Sequence, residues 1–257
     1  MPLLNHPDGA IEYVHRPGRA PGPTVVFLHE GLGSIGQWGM VPASFAARTG
    51  LPTLVYSRHG YGGSGGTGPT GTRYLHTQAR EVLPWILDEL EVRTPPVLIG
   101  HSDGASIATV YASEYPVRAL VLIAPHIVVE EVTLRGIRQT AHDFDAIAPS
   151  LRLHHDSAEA LFDRWSNVWL SDEFQADFDL TGCLPRITAP QLVIQGEHDK
   201  YGTARQPELI AEHTAGPTSL ALLPDTGHHP HLEATEKVLE LICTTLSSGG
   251  HAPQRLG

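Results

Sequence analysis

Short, nearly continuous apolar runs recur along this chain, and most of the stretches between them carry apolar residues at helical spacing. Residues 24–28, 51–56, 95–99, 118–124, 190–195 and 219–223 are rich in Val, Leu and Ile and too short to be helices. Such runs read as strands buried on both faces. Residues 11–15 alternate and read as a first, half-buried strand. Residues 42–48 form a short helical pattern closed by Gly50, and residues 72–91 a longer one with Leu83, Ile86, Leu87 and Leu90 on one side. Pro84 should kink or split that helix. Further helices are expected at 105–112, 206–213 and 233–246. Strands alternating with helices imply an α/β fold, a mostly parallel central sheet flanked by helices on both faces.

Residues 128–185 break the rhythm. They are polar and largely helical in pattern, and they carry Phe144, Phe162, Trp165, Trp169 and Phe174. An insertion after the strand at 118–124 would lie over the carboxyl ends of the strands, where such sheets place their sites. The expected organisation is a core in two parts, 1–127 and 186–248, a helical lid at 128–185, and a flexible Gly-rich tail at 249–257.

Composition narrows the function. The formal charge is −11, from 17 basic against 28 acidic residues, which argues against nucleic acid or an anionic membrane as partner. The start, Met1-Pro2-Leu3-Leu4-Asn5-His6, lacks the basic and apolar regions of a signal peptide. No run reaches the roughly 18 apolar residues of a membrane span. Cys183 and Cys243 have no metal-ligand spacing and read as reduced thiols. A cytoplasmic monomer or homodimer acting on a small molecule is the expectation. There are 16 histidines, and His154 and His155 are expected at the surface without a metal role.

The chemistry gathers at Gly100-His101-Ser102-Asp103-Gly104, between an expected strand and an expected helix. A serine there sits at the apex of a strained turn that lifts its hydroxyl clear of the sheet, and a side chain at either glycine would collide with neighbouring elements. The following helix aims free N–H groups at the site. A serine needs a base, and the base needs an orienting acid. His228, in Thr226-Gly227-His228-His229-Pro230-His231, is the candidate base, with His229 and His231 as rivals. A metal reading of that run is weak, because histidines crowded across a proline lack the usual helical spacing. Asp199 is the candidate acid, with Glu197 as rival. The backbone amides of Asp103 and Gly31 are the candidate oxyanion donors. Glu30, Trp165, Trp169 and Tyr201 are candidates for the substrate pocket. Trp165 and Trp169, four apart, would share a helix face.

With these residues in place, the chain resembles the α/β-hydrolase fold superfamily over nearly its whole length. It is similar in particular to serine-nucleophile, bacterial esterase-like members with a helical lid. The resemblance rests on His29-Glu30-Gly31-Leu32-Gly33, Arg58-His59-Gly60-Tyr61-Gly62-Gly63-Ser64, Gly100-His101-Ser102-Asp103-Gly104, Gly196-Glu197-His198-Asp199 and Gly227-His228-His229-Pro230-His231. It implies a serine hydrolase that cleaves an ester or related acyl bond of a small to medium, partly apolar substrate, with no cofactor and no metal. C–C hydrolases, thioesterases and lyases share such a site, and a non-catalytic ligand-binding homologue is the reading of another class. Two positions depart from the pattern. Glu30 stands where glycine is usual, and there it either braces the loop, pairs with a cation such as Arg58, selects a basic group or moves a proton. Ser57 stands where aspartate is usual, a change expected to matter only for packing.

Overall fold

The structure is a computed structural model and describes residues 1–247; the expected tail at 249–257 lies outside the described residues. Its centre is an eight-stranded sheet, in the order β1-β2-β4-β3-β5-β6-β7-β8. The strands are β1 (Leu3–His6), β2 (Gly9–Arg16), β3 (Val25–Leu28), β4 (Thr53–Tyr56), β5 (Val97–His101), β6 (Ala119–Ile123), β7 (Gln191–Gly196) and β8 (Thr218–Leu223). All neighbours from β4 to β8 pair in parallel, and the β1/β2 and β2/β4 pairs are antiparallel.

The continuous apolar runs follow from burial on both faces. Val26, Leu28, Leu98, Leu120, Leu122 and Val193 pack on one side of the sheet, and Val25, Phe27, Val97, Ile99, Val121, Ile123 and Ile194 on the other. In β3 to β7, alternation of side chains across the pleat leaves no position for a polar face. The second face is covered by α1 (Val41–Thr49) and α11 (Thr235–Ser247), through Phe45, Val238, Leu239 and Ile242. The first face is covered by α2 (Tyr74–Thr77), α3 (Leu83–Glu89), α4 (Asp103–Ala112) and α9 (Arg205–His213), through Leu75, Ile86, Ala108 and Ile210. Gly50 closes α1 at φ 72°, the left-handed stop that glycine takes most readily.

Two features differ from the sequence reading. Residues 3–6 carry no strand signal of their own, yet β1 pairs with β2 as an edge hairpin whose residues are exposed or half-buried, so no apolar stripe marks it. The helix expected at 72–91 changes its winding just before Pro84. A π turn over Gln78–Val82 separates α2 from α3, and Pro84 falls in the first turn of α3. Proline lacks an amide hydrogen and its ring crowds the carbonyl four residues back, and one widened turn before it relieves both constraints.

Between β6 and β7 the chain makes α5 (Glu131–His142), α6 (Phe144–Arg152), α7 (Ala158–Leu170) and α8 (Asp172–Asp177), and then a 3₁₀ stretch at Thr181–Arg186. Gln206 of α9 holds the root of this insertion. Its side chain accepts from the amides of Ile127 and Val128 and donates to the Val128 carbonyl. At Val128 the root also bridges to Asp179 near the insertion's end. The helix α10 (Pro230–Glu233) lies beyond β8. Among the described residues, no helix is long and apolar enough to cross a membrane.

The parallel strands all point the same way, so the loops after Leu28, His101, Ile123, Gly196 and Leu223 meet at one edge of the sheet. The approach of α4 to β3 is the tightest part of this edge. A Cβ on Gly104 would overlap the carbonyl oxygen of Leu28, and one on Gly100 would overlap that of Gly104. Gly104→Ala is therefore expected to lower stability by about 3 kcal/mol or more, whereas Gly182→Ala, where a Cβ meets nothing within 4 Å, should stay within about 0.5 kcal/mol of wild type. Urea unfolding of the two variants checks this, and equal midpoints would refute the steric account.

Candidate active site

Ser102 links β5 to α4 with φ 52° and ψ −116°, a conformation that an L-residue holds only when its surroundings enforce it. The enforcing contacts are local. Gly100 and Gly104 allow the strand and helix to close on each other, the Ser102 amide donates to the Ile123 carbonyl at 2.9 Å, and α4 is buried along its length. Only 6% of Ser102 is exposed, and what is exposed faces a cavity of about 540 Å³.

His228 lines the same cavity from the loop after β8. Its Nδ1 lies 2.9 and 2.8 Å from the two carboxylate oxygens of Asp199, which stands behind it at the end of β7. Asp199 also accepts from Gln195 Nε2 at 2.7 Å and from the Tyr201 amide at 2.8 Å. Burial works against its charge, but the His228 ring and these hydrogen bonds outweigh it and hold the carboxyl down to about 2. An ionised carboxylate on Nδ1 fixes the hydrogen there and leaves Nε2 as the basic nitrogen. The rivals are placed otherwise. Glu197 is exposed, and the Asp199 carboxylate is bonded to neither His229 nor His231.

The loop after β3 supplies Glu30 and Gly31 to the cavity wall. Gly31 lies against the Trp165 indole so closely that a Cβ there would overlap the ring. Asp103 starts α4 with its amide at the helix N-terminus, while its fully buried carboxylate accepts from Tyr74 Oη at 2.6 Å and from Arg58 Nη1 at 3.3 Å. Trp169 Nε1 in turn donates to Tyr74 Oη at 2.9 Å, so a hydrogen-bonded chain runs from the inserted helices to the residue after Ser102. Arg58 bonds the Glu30 carbonyl at 2.6 Å and not its carboxylate, so of the alternatives for Glu30 the pairing with Arg58 is not formed. The Glu30 carboxylate faces His101 instead, 3.5 Å from Nδ1. Burial opposes the Glu30 charge, yet His101, helped by His229 and His29, holds its carboxyl well below the usual range.

Ser57 does more than pack: its hydroxyl donates to the Glu12 carboxylate at 2.6 Å and accepts from the Ile35 amide. The expected surface position of His155 is also corrected. It is buried, accepts from the Gly62 amide at Nδ1 and meets the Leu32 carbonyl at Nε2, so it braces two glycine-rich loops. All four expected pocket residues, Glu30, Trp165, Trp169 and Tyr201, line the cavity. Sequence reasoning missed His126, and also Thr133, Ile137 and Leu151 from α5 and α6, which are among the other residues of the wall. His126 sits just past β6, at the same sheet edge as the other strand-end loops; that position was the available signal.

The sequence model described as "Alpha/beta hydrolase family" matches residues 25–241. No curated protein matches the chain significantly. Solved structures with the same fold include the enol-lactonase from Burkholderia xenovorans LB400, at 18% identity and TM-score 0.74, covering 96% of this chain and 100% of that one. A thermophilic esterase from Thermogutta terrifontis is 19% identical with TM-score 0.70, covering 94% of each chain. A hydrolase from Pseudomonas aeruginosa PA01 is 24% identical with TM-score 0.71, covering 95% of this chain and 97% of that one.

Burial keeps the His126 ring neutral and, with His228 nearby, lowers its pKa to about 3. In the unfolded chain the ring titrates near about 6.5. Between these values the unfolded chain binds a proton that the folded one does not. Stability is therefore complete above the upper value and falls as pH drops toward the lower one, by about 1.4 kcal/mol per pH unit for this ring. His126→Gln should accordingly show a shallower loss of the urea midpoint between pH 6.5 and 4.5 than wild type. Parallel slopes would show that His126 is not held neutral.

Proposed function

The chain belongs to the alpha/beta hydrolase family and is a hydrolase, and we propose that it cleaves an ester or related acyl bond through a Ser102-His228-Asp199 triad. One observation carries the reading: Ser102, held at positive φ, opens onto the same cavity as His228, whose Nδ1 is fixed by a buried, ionised Asp199.

Ser102 Oγ attacks the substrate carbonyl as His228 Nε2 takes its proton. The Gly31 and Asp103 amides hold the oxyanion, and the dipole of α4 adds to them. His228 passes the proton to the leaving oxygen, which departs as an alcohol. Water, deprotonated by the same ring, then releases the acid from the acyl-enzyme. Asp199 keeps the ring in the useful tautomer and stabilises its charged form. No cofactor enters this sequence.

Residues 128–185 act as a lid in this reading, since α5, α6 and α7 supply Thr133, Ile137, Leu151, Trp165 and Trp169 to the cavity wall. That wall is chiefly apolar, and the cavity volume suits a small to medium acyl group. The ester and lactone bonds named for two of the structural neighbours belong to the class proposed here.

4-Nitrophenyl esters from acetate to octanoate test the reading. Wild type should release 4-nitrophenol, Ser102→Ala should not, and Asp199→Asn should lose about 10⁴-fold in kcat. Activity retained in folded Ser102→Ala would overturn the nucleophile. A folded wild type inert to every ester would overturn the bond class and move the same site to thioester or C–C substrates.

A further inference from the structure

Three side chains beside the proposed machinery converge on one point. Glu30 precedes Gly31, His101 precedes Ser102, and His229 follows His228. One ligand atom from each of the three lies within 4.8 Å of the other two. They come from the loop after β3, the end of β5 and the loop after β8, so the set exists only in the folded chain.

The hydrogen bonds of His101 define what this point lacks. Its Nε2 lies 2.7 Å from the His228 carbonyl oxygen. A carbonyl only accepts, so Nε2 carries the hydrogen, and in the neutral ring Nδ1 bears a lone pair. That Nδ1 is completely buried, has no hydrogen-bond partner and lies 3.5 Å from Glu30 Oε2, which also carries lone pairs. Two acceptors facing each other out of water are unfavourable unless positive charge lies between them. A proton on His101 is one source of that charge. It leaves the convergence of His229 on the same two atoms without a purpose.

We infer that Glu30, His101 and His229 bind a divalent transition-metal ion of the zinc type. Two imidazoles and one carboxylate form the mixed nitrogen and oxygen set that zinc prefers, and the fourth position would open to water in the cavity. Metal–ligand bonds of 2.0–2.1 Å at tetrahedral angles separate ligand atoms by about 3.4 Å, which the His101–Glu30 pair already matches. His229 lines the cavity, so its ring is the one with room to turn inward. The His228 carbonyl on Nε2 is the kind of outer partner that fixes a metal-bound histidine's tautomer and orientation. The spacing of His228, His229 and His231 argues against a metal held by that run alone, and here the run contributes one ligand of three. The bound ion would tie together the loops that present Gly31, Ser102 and His228 and so position them.

Binding is read without activity, so this inference stands or falls separately from the proposed hydrolysis. Full-length protein stripped with EDTA is titrated with Zn²⁺ by calorimetry and with Co²⁺ by visible absorption. Wild type should bind one equivalent, with the intense cobalt bands of a tetrahedral site. Glu30→Gln and His229→Asn, each checked for native circular dichroism, should weaken binding by about tenfold or more, while exposed His142→Gln should not. Absence of stoichiometric binding to wild type would leave a protonated His101 paired with Glu30 and overturn the site. Equal binding by wild type and both ligand variants would show adventitious capture by surface histidines and also overturn it.

Discussion

The closeness of α4 to β3 and β5 is the constraint on which the rest depends. Gly104 meets the Leu28 carbonyl, and Gly100 meets Gly104, with no space for a methyl group at either. Only this closeness brings the end of β5 round into α4 in a single residue and holds Ser102 at a positive φ. The strain there, on the order of 1–3 kcal/mol, is sustained by a helix buried at every position and a sheet packed on both faces. A looser core would let the turn relax and withdraw the hydroxyl from the cavity.

A second layer of the design is polar and buried. Arg58 and Asp103 pair out of water, and such a pair costs less as its remaining donors and acceptors are satisfied. Here Tyr74 bonds Asp103 Oδ2, and the Glu30 carbonyl and His29 take further guanidinium donors, while Asp103 Oδ1 has no hydrogen-bond partner. Trp169 extends the chain into α7, so the inserted helices are registered against the turn that carries Ser102 by directional bonds and by apolar contact. On the far side, Glu130 accepts from the Thr203 amide and Gly136 packs against the backbone of Lys200, which ties α5 to the loop that carries Asp199. The proposed acid, the proposed nucleophile and the cavity wall are thus held by one network, and movement of the insertion would be felt at both.

The histidines divide by environment. His228 keeps the Asp199 carboxylate on its Nδ1, whereas His126 and His229 are pushed down to about 3 by burial and by neighbouring rings and remain neutral. A neutral ring offers lone pairs, the property that a metal ligand or an acceptor of a substrate's hydrogen bond requires.

The sequence by itself determined the elements whose cause is local. The parallel strands were legible because burial on both faces makes each a continuous apolar run, and Gly100-His101-Ser102-Asp103-Gly104 because a one-residue turn demands glycine on either side. Residues 199 and 228 were legible as candidates because each follows a strand at the same edge of the sheet. Other features depended on contacts between segments far apart in sequence. That Asp199 meets His228 while Glu197 is exposed depends on which carboxylate the fold turns inward. The partner of Glu30, the burial of His155, the β1 hairpin and the chain from Arg58 to Trp169 have no periodic signature. Periodicity reports whether a residue is buried; only the packed structure decides which residue it meets, because that depends on the approach of whole elements and not on spacing along one of them.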